Sequence, residues 1–287
     1  MQEVILFVNP GSWLSSLVFG VLGLLIGSFL NVVIYRLPRI MQRNEDNYYA
    51  SEKGLPLPHT DRYNLVVPRS ACPHCGHKIT AMENIPVVSY LLLGGKCKSC
   101  KAKISVRYPL IELFTAALSA GMIWHFGSGI AGMAAVVFVW LLIAMTFIDI
   151  DTQLLPDDMT LGLLWIGLLL NINATFAPLQ DAVIGAVAGY LALWSVYWAF
   201  KLITGKDGMG YGDFKLLAAL GAWMGWSMLP VVILLSSLVG SVIGVTMIIL
   251  SKLGWETHIP FGPYLAGAGL IALVWGHQLS DYYLSLV

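Results

Sequence analysis

Charged residues are scarce in this chain of 287 residues. Asp, Glu, Lys and Arg make up only 11% of it, while 57% of its residues are hydrophobic; a soluble globular domain has about 25% charged residues. Because the deficit is spread over many apolar runs, it predicts a polytopic membrane protein. The 16 basic and 16 acidic residues leave no net charge, so composition offers no broad positive field for a nucleic-acid partner.

Basic residues are absent from the N-terminus, since no Lys or Arg precedes Arg36. The chain therefore lacks the basic region of a cleavable signal peptide, and we expect its first apolar run to remain as a span. Twelve of the 16 basic residues lie between Arg36 and Arg107. The other four are Lys201, Lys206, Lys215 and Lys252.

The apolar runs predict an all-α polytopic membrane protein with about eight transmembrane helices. With an even number of spans, every Lys and Arg lies in or beside a loop on the same face of the membrane. The positive-inside rule identifies that face as cytoplasmic, which makes the N-terminus periplasmic. The boundary between the sixth and seventh predicted spans, at Leu229-Pro230, is the least certain, so seven spans are the alternative. The predicted spans are 13–35, 109–126, 130–148, 159–175, 182–203, 214–229, 231–250 and 262–277.

The spans divide the chain into three parts. Residues 1–36 hold the first span, residues 37–108 form a cytoplasmic loop, and residues 109–287 form a membrane domain of seven spans. The first half of the loop is polar and rich in turn formers, so we expect it to be irregular.

All four cysteines lie in the second half of that loop, as Cys72-x2-Cys75 and, after 21 further residues, Cys97-x2-Cys100. Two such pairs predict a structural zinc site of four thiolates. Disulfides are the alternative, but a reducing cytoplasm disfavours them. His74 and His77 are expected not to be ligands. A nucleic-acid-binding zinc ribbon is a weaker interpretation, because membrane orientation already explains the basic residues of the loop.

Two acidic segments flank predicted spans on the cytoplasmic face. The stretch "GMGYGDFK" at 208–215 places Asp213 beside alternating glycines, which permit positive φ and close backbone approach. Two carboxylates at the same depth in the membrane can share a proton and activate water. The simpler alternative is that these aspartates are helix caps or solvated charges. Asp157 looks like such a cap. Glu112 is a further acid, inside the second span, with Arg107 as a candidate ion-pair partner. The other acidic segment holds Asp149, Asp151, Asp157 and Asp158.

Five segments together resemble the type IV prepilin peptidases. They are "GSFLNVVIYRLP" at 27–38, the cysteine segment at 72–113, "FIDIDTQLLPD" at 147–157, "GMGYGDFKLLAALGAWMGW" at 208–226 and "PFGPYLAGA" at 260–268. The resemblance implies a Gly-x-Gly-Asp aspartic protease with Asp149 and Asp213 as its catalytic pair. Which aspartate acts as base and which as acid stays open.

The resemblance also implies two activities at the bacterial inner membrane. The short basic leader of a prepilin or pseudopilin is cleaved, and the new N-terminal residue is methylated with S-adenosylmethionine. The segment around Gly95 and Lys96 belongs to the region linked to methyl transfer. No dinucleotide-type glycine loop in 37–108 identifies the cofactor-binding residues. A peptidase without methyl transfer, an ion-coupled transporter and a membrane-tethered zinc scaffold are the alternatives.

Overall fold

The computed structural model describes residues 10–251 and 259–284, and most of them are helical. No β-sheet occurs in these ranges, where pairing is limited to two isolated bridges, Ala71 with Lys78 and Lys96 with Lys103. The predicted all-α class is confirmed. The helices are α1 (Trp13–Glu52), α2 (Val88–Leu92), α3 (Arg107–Phe126), α4 (Ile130–Thr152), α5 (Asp157–Asn171), α6 (Leu179–Thr204), α7 (Tyr211–Met224), α8 (Leu229–Ser251) and α9 (Gly262–Leu284).

Five of the helices are long and apolar enough to cross a membrane, namely α1, α3, α4, α6 and α8. A helix also occupies each of the other three predicted spans, so the chain is a multi-pass membrane protein. Helices α5 and α7 have only 15 and 14 residues. At 1.5 Å per residue, α7 extends about 21 Å, less than the hydrocarbon thickness of about 30 Å.

The sixth predicted span, 214–229, is wrong at its C-terminal end. Helix α7 ends at Met224 because Gly225 adopts a left-handed φ of 80°, a conformation that glycine tolerates. A short 3₁₀ turn, Trp226–Met228, then leads into α8. Pro230 therefore lies in the first turn of α8, where its missing N–H costs no helical hydrogen bond.

The loop begins as a helix, so the expectation of an irregular first half is wrong as far as Glu52; residues 53–70 contain no helix, as expected. Helix α1 continues for 40 residues to Glu52. Side chains four residues apart support the extension: the Arg39 guanidinium lies 3.6 Å from the centroid of the Tyr35 ring, and the Tyr48 hydroxyl donates to Glu52 at 2.8 Å. Such pairs stabilise a helix without requiring an apolar face, which is why periodicity did not reveal it.

The chain divides into two compact units, with the boundary after Ala144 within α4. In the first unit, α1 approaches α3 closely through small residues. A Cβ added at Gly27 would lie 2.7 Å from the Cα of Glu112, and one added at Gly23 would lie 2.8 Å from the Cα of Ala116. Small residues permit this kind of helix association in membranes.

Helix α7 is the centre of the second unit, and its residues from Phe214 to Met224 are almost all buried. The Trp223 indole N–H donates to the Leu163 carbonyl of α5 at 2.8 Å. The Asn171 amide donates to the carbonyls of Ala222 and Trp223, both at 2.9 Å. These hydrogen bonds fix the C-terminal half of α7 against α5.

Gly221 allows α6 and α7 to cross at backbone contact. A Cβ added at Gly221 would overlap the carbonyl oxygen of Gly185, and one added at Gly185 would lie 2.5 Å from the carbonyl oxygen of Gly221. We expect Gly221→Ala to destabilise the folded protein by about 2–3 kcal/mol, because backbone atoms must move apart. Thermal unfolding in detergent measures the effect.

The matched control is Gly162→Ala on α5, where an added Cβ would meet no atom within 4 Å. That change should be neutral or stabilising by up to about 1 kcal/mol through helix propensity. Equal unfolding temperatures for the two variants would contradict the close crossing.

Candidate active site and cysteine centre

Asp149 lies in the last turn of α4 and is buried, with 5% of its surface exposed. One carboxylate oxygen, Oδ2, accepts a hydrogen bond of 3.0 Å from the backbone N–H of Gly262 at the start of α9. A Cβ added at Gly262 would lie 2.6 Å from that oxygen, so glycine is needed for this approach. Residues far apart in the sequence thus hold Asp149 in one orientation.

Asp213 is the third residue of α7 and is 7% exposed. Its carboxylate accepts a hydrogen bond from the backbone of Gly210, the residue that caps the helix. This is half of a capping box, and the helix N-terminus favours a negative charge there. Asp213 therefore has a capping role in addition to any chemical role.

Leu155 packs against two glycines, Gly212 and Gly262, that neighbour Asp213 and Asp149 respectively. A Cβ added at Gly212, next to Asp213, would lie 2.7 Å from the Leu155 Cβ, and one added at Gly262 would lie 3.2 Å from the Leu155 Cδ1. The carboxylates of Asp149 and Asp213 interact electrostatically with each other. The structure thus brings together the two aspartates that the sequence analysis paired, at neighbouring helix ends of one unit.

The alternating glycines serve close packing. A Cβ added at Gly208 would lie 2.8 Å from the Phe200 ring, and Gly212 packs in the same way against Leu155. Positive φ, the other property expected of these glycines, occurs nearby at Gly205 and is absent from residues 208–212.

The remaining predicted acids have different surroundings. Asp151 and Asp158 are exposed. Asp157 does not cap α5, since Pro156 holds the capping position; it forms an ion pair of 2.6 Å with Lys215 instead. Glu112 is buried and accepts a hydrogen bond of 2.7 Å from the backbone N–H of Val87, so one of its partners is a loop residue.

The four cysteines converge in the first unit. Their Sγ atoms all lie within 4.8 Å of one another, with Cys72 and Cys100 at 3.8 Å and Cys75 and Cys97 at 4.0 Å. A tetrahedral zinc with Zn–S bonds of about 2.3 Å would require sulfur–sulfur distances of about 3.8 Å. All four thiols are free of disulfides. The donor set therefore fits a metal ion of the zinc type.

The two cysteine pairs have the same backbone geometry. The Cys72 backbone accepts from the N–H of Gly76 and donates to His77, while the Cys97 backbone accepts from the N–H of Lys101 and donates to Ala102, at 2.8–3.0 Å. Gly76 and Lys101 occupy equivalent positions with φ of 71° and 60°. Each pair thus forms the same turn around one half of the site.

A carboxylate outside the cysteine set fixes the loop beside it. Glu83 accepts from the Thr80 N–H at 2.9 Å and bonds with the His77 ring at 3.1 Å. These hydrogen bonds, that of Thr80 above all, lower the pKa of Glu83 to about 2. The carboxylate is therefore ionised at neutral pH, and its contribution to folding would be lost only as pH falls toward about 2. The His77 ring therefore bonds with Glu83 and not with the cysteine thiols.

Sequence reasoning missed a polar cluster before the glycine segment. The Tyr197 hydroxyl donates to Asp207 at 2.6 Å, and the Lys201 ammonium lies 2.8 Å from the same carboxylate. The hydrogen bond from Lys201 lowers the pKa of Asp207. The pairing thus contributes to folding above the ordinary pKa of an aspartate and is lost as pH falls below it. Spacing of four residues between Tyr197 and Lys201 was the only signal in the sequence.

Comparison with known proteins decides the family. The model of the bacterial peptidase A24 N-terminal domain matches residues 21–126, and that of the type IV leader peptidase family matches residues 136–245. A protein of Aeromonas salmonicida is 58% identical over 275 residues, covering 95% of this chain and 94% of the relative. The chain belongs to the type IV leader peptidase family.

Other relatives support the same membership. One from Pseudomonas aeruginosa is 60% identical over 264 residues, covering 92% of this chain and 91% of its own length. One from Burkholderia pseudomallei is 49% identical over 269 residues, covering 93% of this chain and 86% of its own length. All three bear the name prepilin leader peptidase/N-methyltransferase. No solved structure matches the chain.

The two family models divide the candidate sites between them. The four cysteines fall within the segment that matches the N-terminal domain, whereas Asp149 and Asp213 fall within the segment that matches the leader peptidase family. Gly262, which donates to Asp149, lies beyond both matched segments.

Proposed function

We propose that this chain removes the leader peptide of prepilins and pseudopilins and then methylates the new N-terminal amine. The relatives carry that pair of activities in their name. The observation that carries the peptidase half is the pair of buried carboxylates, Asp149 and Asp213, at neighbouring helix ends, with Leu155 packed against a glycine beside each of them. Their burial is costly for charged groups, which favours a functional role.

Asp149 and Asp213 act together on water. One carboxylate, ionised, takes a proton from the water molecule as its oxygen attacks the scissile carbonyl carbon. The other, protonated, donates its proton toward the carbonyl oxygen and then to the leaving amine as the C–N bond breaks. Because like charges at close range disfavour double ionisation, a pair that shares one proton is suited to this exchange.

Methyl transfer completes the reaction on the product of cleavage. When bound, S-adenosylmethionine would supply the methyl group and leave as its neutral thioether, S-adenosylhomocysteine, while the amine that receives the methyl group loses a proton. A structural zinc held by Cys72, Cys75, Cys97 and Cys100 would hold the loop of the first unit in one conformation. Four thiolates leave no open coordination position, so we assign that metal no chemical step.

The protein lies in the bacterial inner membrane with its N-terminus periplasmic. The distribution of Lys and Arg supports this orientation, which places the cysteine loop and both aspartates on the cytoplasmic side. A leader peptide in the cytoplasm would then reach the aspartates while the apolar part of the prepilin stays in the bilayer. We assign no nucleic-acid partner.

The test uses the purified chain with a model prepilin and methyl-labelled S-adenosylmethionine. We expect loss of the leader, seen as a mass shift, followed by one labelled methyl group on the new N-terminus. Cleavage without label would favour a peptidase of single activity. Failure to cleave several prepilins would favour a transporter, which ion-coupled uptake into proteoliposomes dependent on Asp213 would then identify.

A further inference from the structure

The segment that precedes Asp213 is short and flexible by composition. Six residues, 205–210, connect α6 to α7, and Gly205, Gly208 and Gly210 are three of them. Fixing the backbone of a residue costs conformational entropy, and glycine loses more freedom than any other residue. A segment of this kind needs contacts with its surroundings to present the first turn of α7 in one position.

The Tyr197–Lys201–Asp207 cluster supplies such contacts from α6. Asp207 is the only acidic residue of the connection. It accepts from the Tyr197 hydroxyl at 2.6 Å and pairs with the Lys201 ammonium at 2.8 Å, and that ammonium also donates to the Tyr197 hydroxyl at 3.0 Å. The three side chains therefore form a closed triangle of hydrogen bonds.

Tyr197 connects the cluster to the residues around Asp213. Its side chain is buried, with 4% of the residue exposed. Its ring centroid lies 5.4 Å from that of Tyr211 and 5.7 Å from that of Phe214, and these two residues flank Gly212 and Asp213. One residue thus holds the connection through its hydroxyl and the first turn of α7 through its ring.

The charged part of the cluster alone explains little. The side chains of Asp207 and Lys201 are 69% and 38% exposed, and ion pairs this exposed contribute little to stability. A purely stabilising pair would not require a buried tyrosine at its centre. The arrangement is better explained by orientation of the segment that carries Asp213.

From this geometry we infer that the Tyr197–Lys201–Asp207 cluster positions Asp213 for leader cleavage. The inference rests on the proposed peptidase function and names residues outside the reacting groups. Misplacement of a reacting group by about 1 Å can lower a rate by about 100-fold. Loss of the cluster should therefore lower kcat for cleavage while leaving KM for the prepilin unchanged, because a shift of Asp213 changes the position of a reacting group and not the contacts that bind the rest of the substrate.

The decisive variant is Tyr197→Phe, which removes the hydroxyl and keeps the ring. We expect kcat for cleavage to fall about 10- to 100-fold, with an unchanged melting temperature and unchanged methylation of a pre-cleaved pilin. Asp207→Ala should lower kcat to a similar extent, and the kcat of the double variant should be no lower than that of either single variant. Asp207→Asn, which keeps an acceptor for Tyr197, should retain part of the lost activity.

Tyr190→Phe is the matched control. Tyr190 lies on the same helix with its ring 5.9 Å from that of Phe214, and the described residues offer its hydroxyl no hydrogen-bond partner. This variant should cleave like wild type. Wild-type cleavage by Tyr197→Phe would overturn the inference, and so would a loss of cleavage, methylation and melting temperature together, which would indicate a general structural role.

Hydrogen exchange separates this inference from the proposed function. Amides of residues 205–213 should exchange faster in Tyr197→Phe than in wild type or Tyr190→Phe, whether or not the protein cleaves prepilins. Unchanged exchange would overturn the positioning role even in an active peptidase. A wild-type protein without peptidase activity would overturn the proposed function. Faster exchange in Tyr197→Phe would then show that the cluster orders residues 205–213 but has no role in cleavage.

Discussion

Asp149→Asn and Asp213→Asn should each abolish cleavage of a purified prepilin, whereas Asp151→Asn should cleave at close to the wild-type rate. Asparagine cannot take a proton from water or return one to the leaving amine, and loss of acid–base catalysis costs about 10²–10⁴-fold in rate. The assay is the shift in pilin size on removal of the leader, followed in detergent over a time course.

Asparagine is the sharpest replacement at both positions because it preserves the local structure. The Asp149 side chain accepts from Gly262, and that of Asp213 accepts from Gly210; the amide oxygen of asparagine can accept both hydrogen bonds. A lost activity is then a loss of the ionisable group, with the cap of α7 retained. Alanine would remove the hydrogen bond and the carboxylate together.

Asp151 is the control within the same segment. It is exposed and lies two residues beyond Asp149, so it tests whether a change of charge at this helix end is enough to stop cleavage. If wild type cleaves and both Asp149→Asn and Asp213→Asn still do so, the two-aspartate mechanism is wrong. Methylation of a pre-cleaved pilin should persist in both variants, which also checks that they are folded.

The sequence predicted those features that depend on composition and local spacing. Eight apolar runs predicted eight helices, and two Cys-x2-Cys pairs predicted the cluster whose thiols lie within 4.8 Å. Both signals are local: a span must be apolar along its length, and two cysteines three apart can face one metal. The pairing of Asp149 with Asp213 also depended on reasoning that both lie at one face of the membrane.

Features that depend on contacts between distant residues were not predictable. The extension of α1 to Glu52 is fixed partly by Asn47, which bonds the backbone of His59 at 2.8 and 3.0 Å. One partner of Glu112 is a backbone N–H 25 residues away, and that of Asp149 is 113 residues away. Backbone donors carry no mark in a sequence, so no pattern of residue types could have indicated them.

Cys72→Ser should remove the metal and disorder the loop at residues 70–105. One of four thiolate ligands is lost, and the free energy of binding structural zinc, about 10–16 kcal/mol in small zinc domains, is also folding free energy. Zinc content of the purified protein, measured by mass spectrometry, should fall from about one ion per chain to near zero. Hydrogen exchange of residues 70–105 should rise at the same time.

His74→Ala is the matched control, since His74 lies between the cysteines of the same turn and outside the convergent thiol group. It should keep its zinc and its protection from exchange. Unchanged zinc in Cys72→Ser would contradict the four-thiolate site directly. Equal loss of zinc from His74→Ala and Cys72→Ser would also contradict it, because the ligand set would then differ from the four cysteines.

The two activities should respond differently to loss of the metal. The cysteines and both aspartates belong to different compact units, divided after Ala144, and the aspartates receive their hydrogen bonds from Gly210 and Gly262 within the second unit. Methylation should therefore fall at least as far as cleavage in Cys72→Ser. Loss of cleavage with full methylation of a pre-cleaved pilin would mean that the cysteine loop serves the peptidase. It would contradict the link between that loop and methyl transfer.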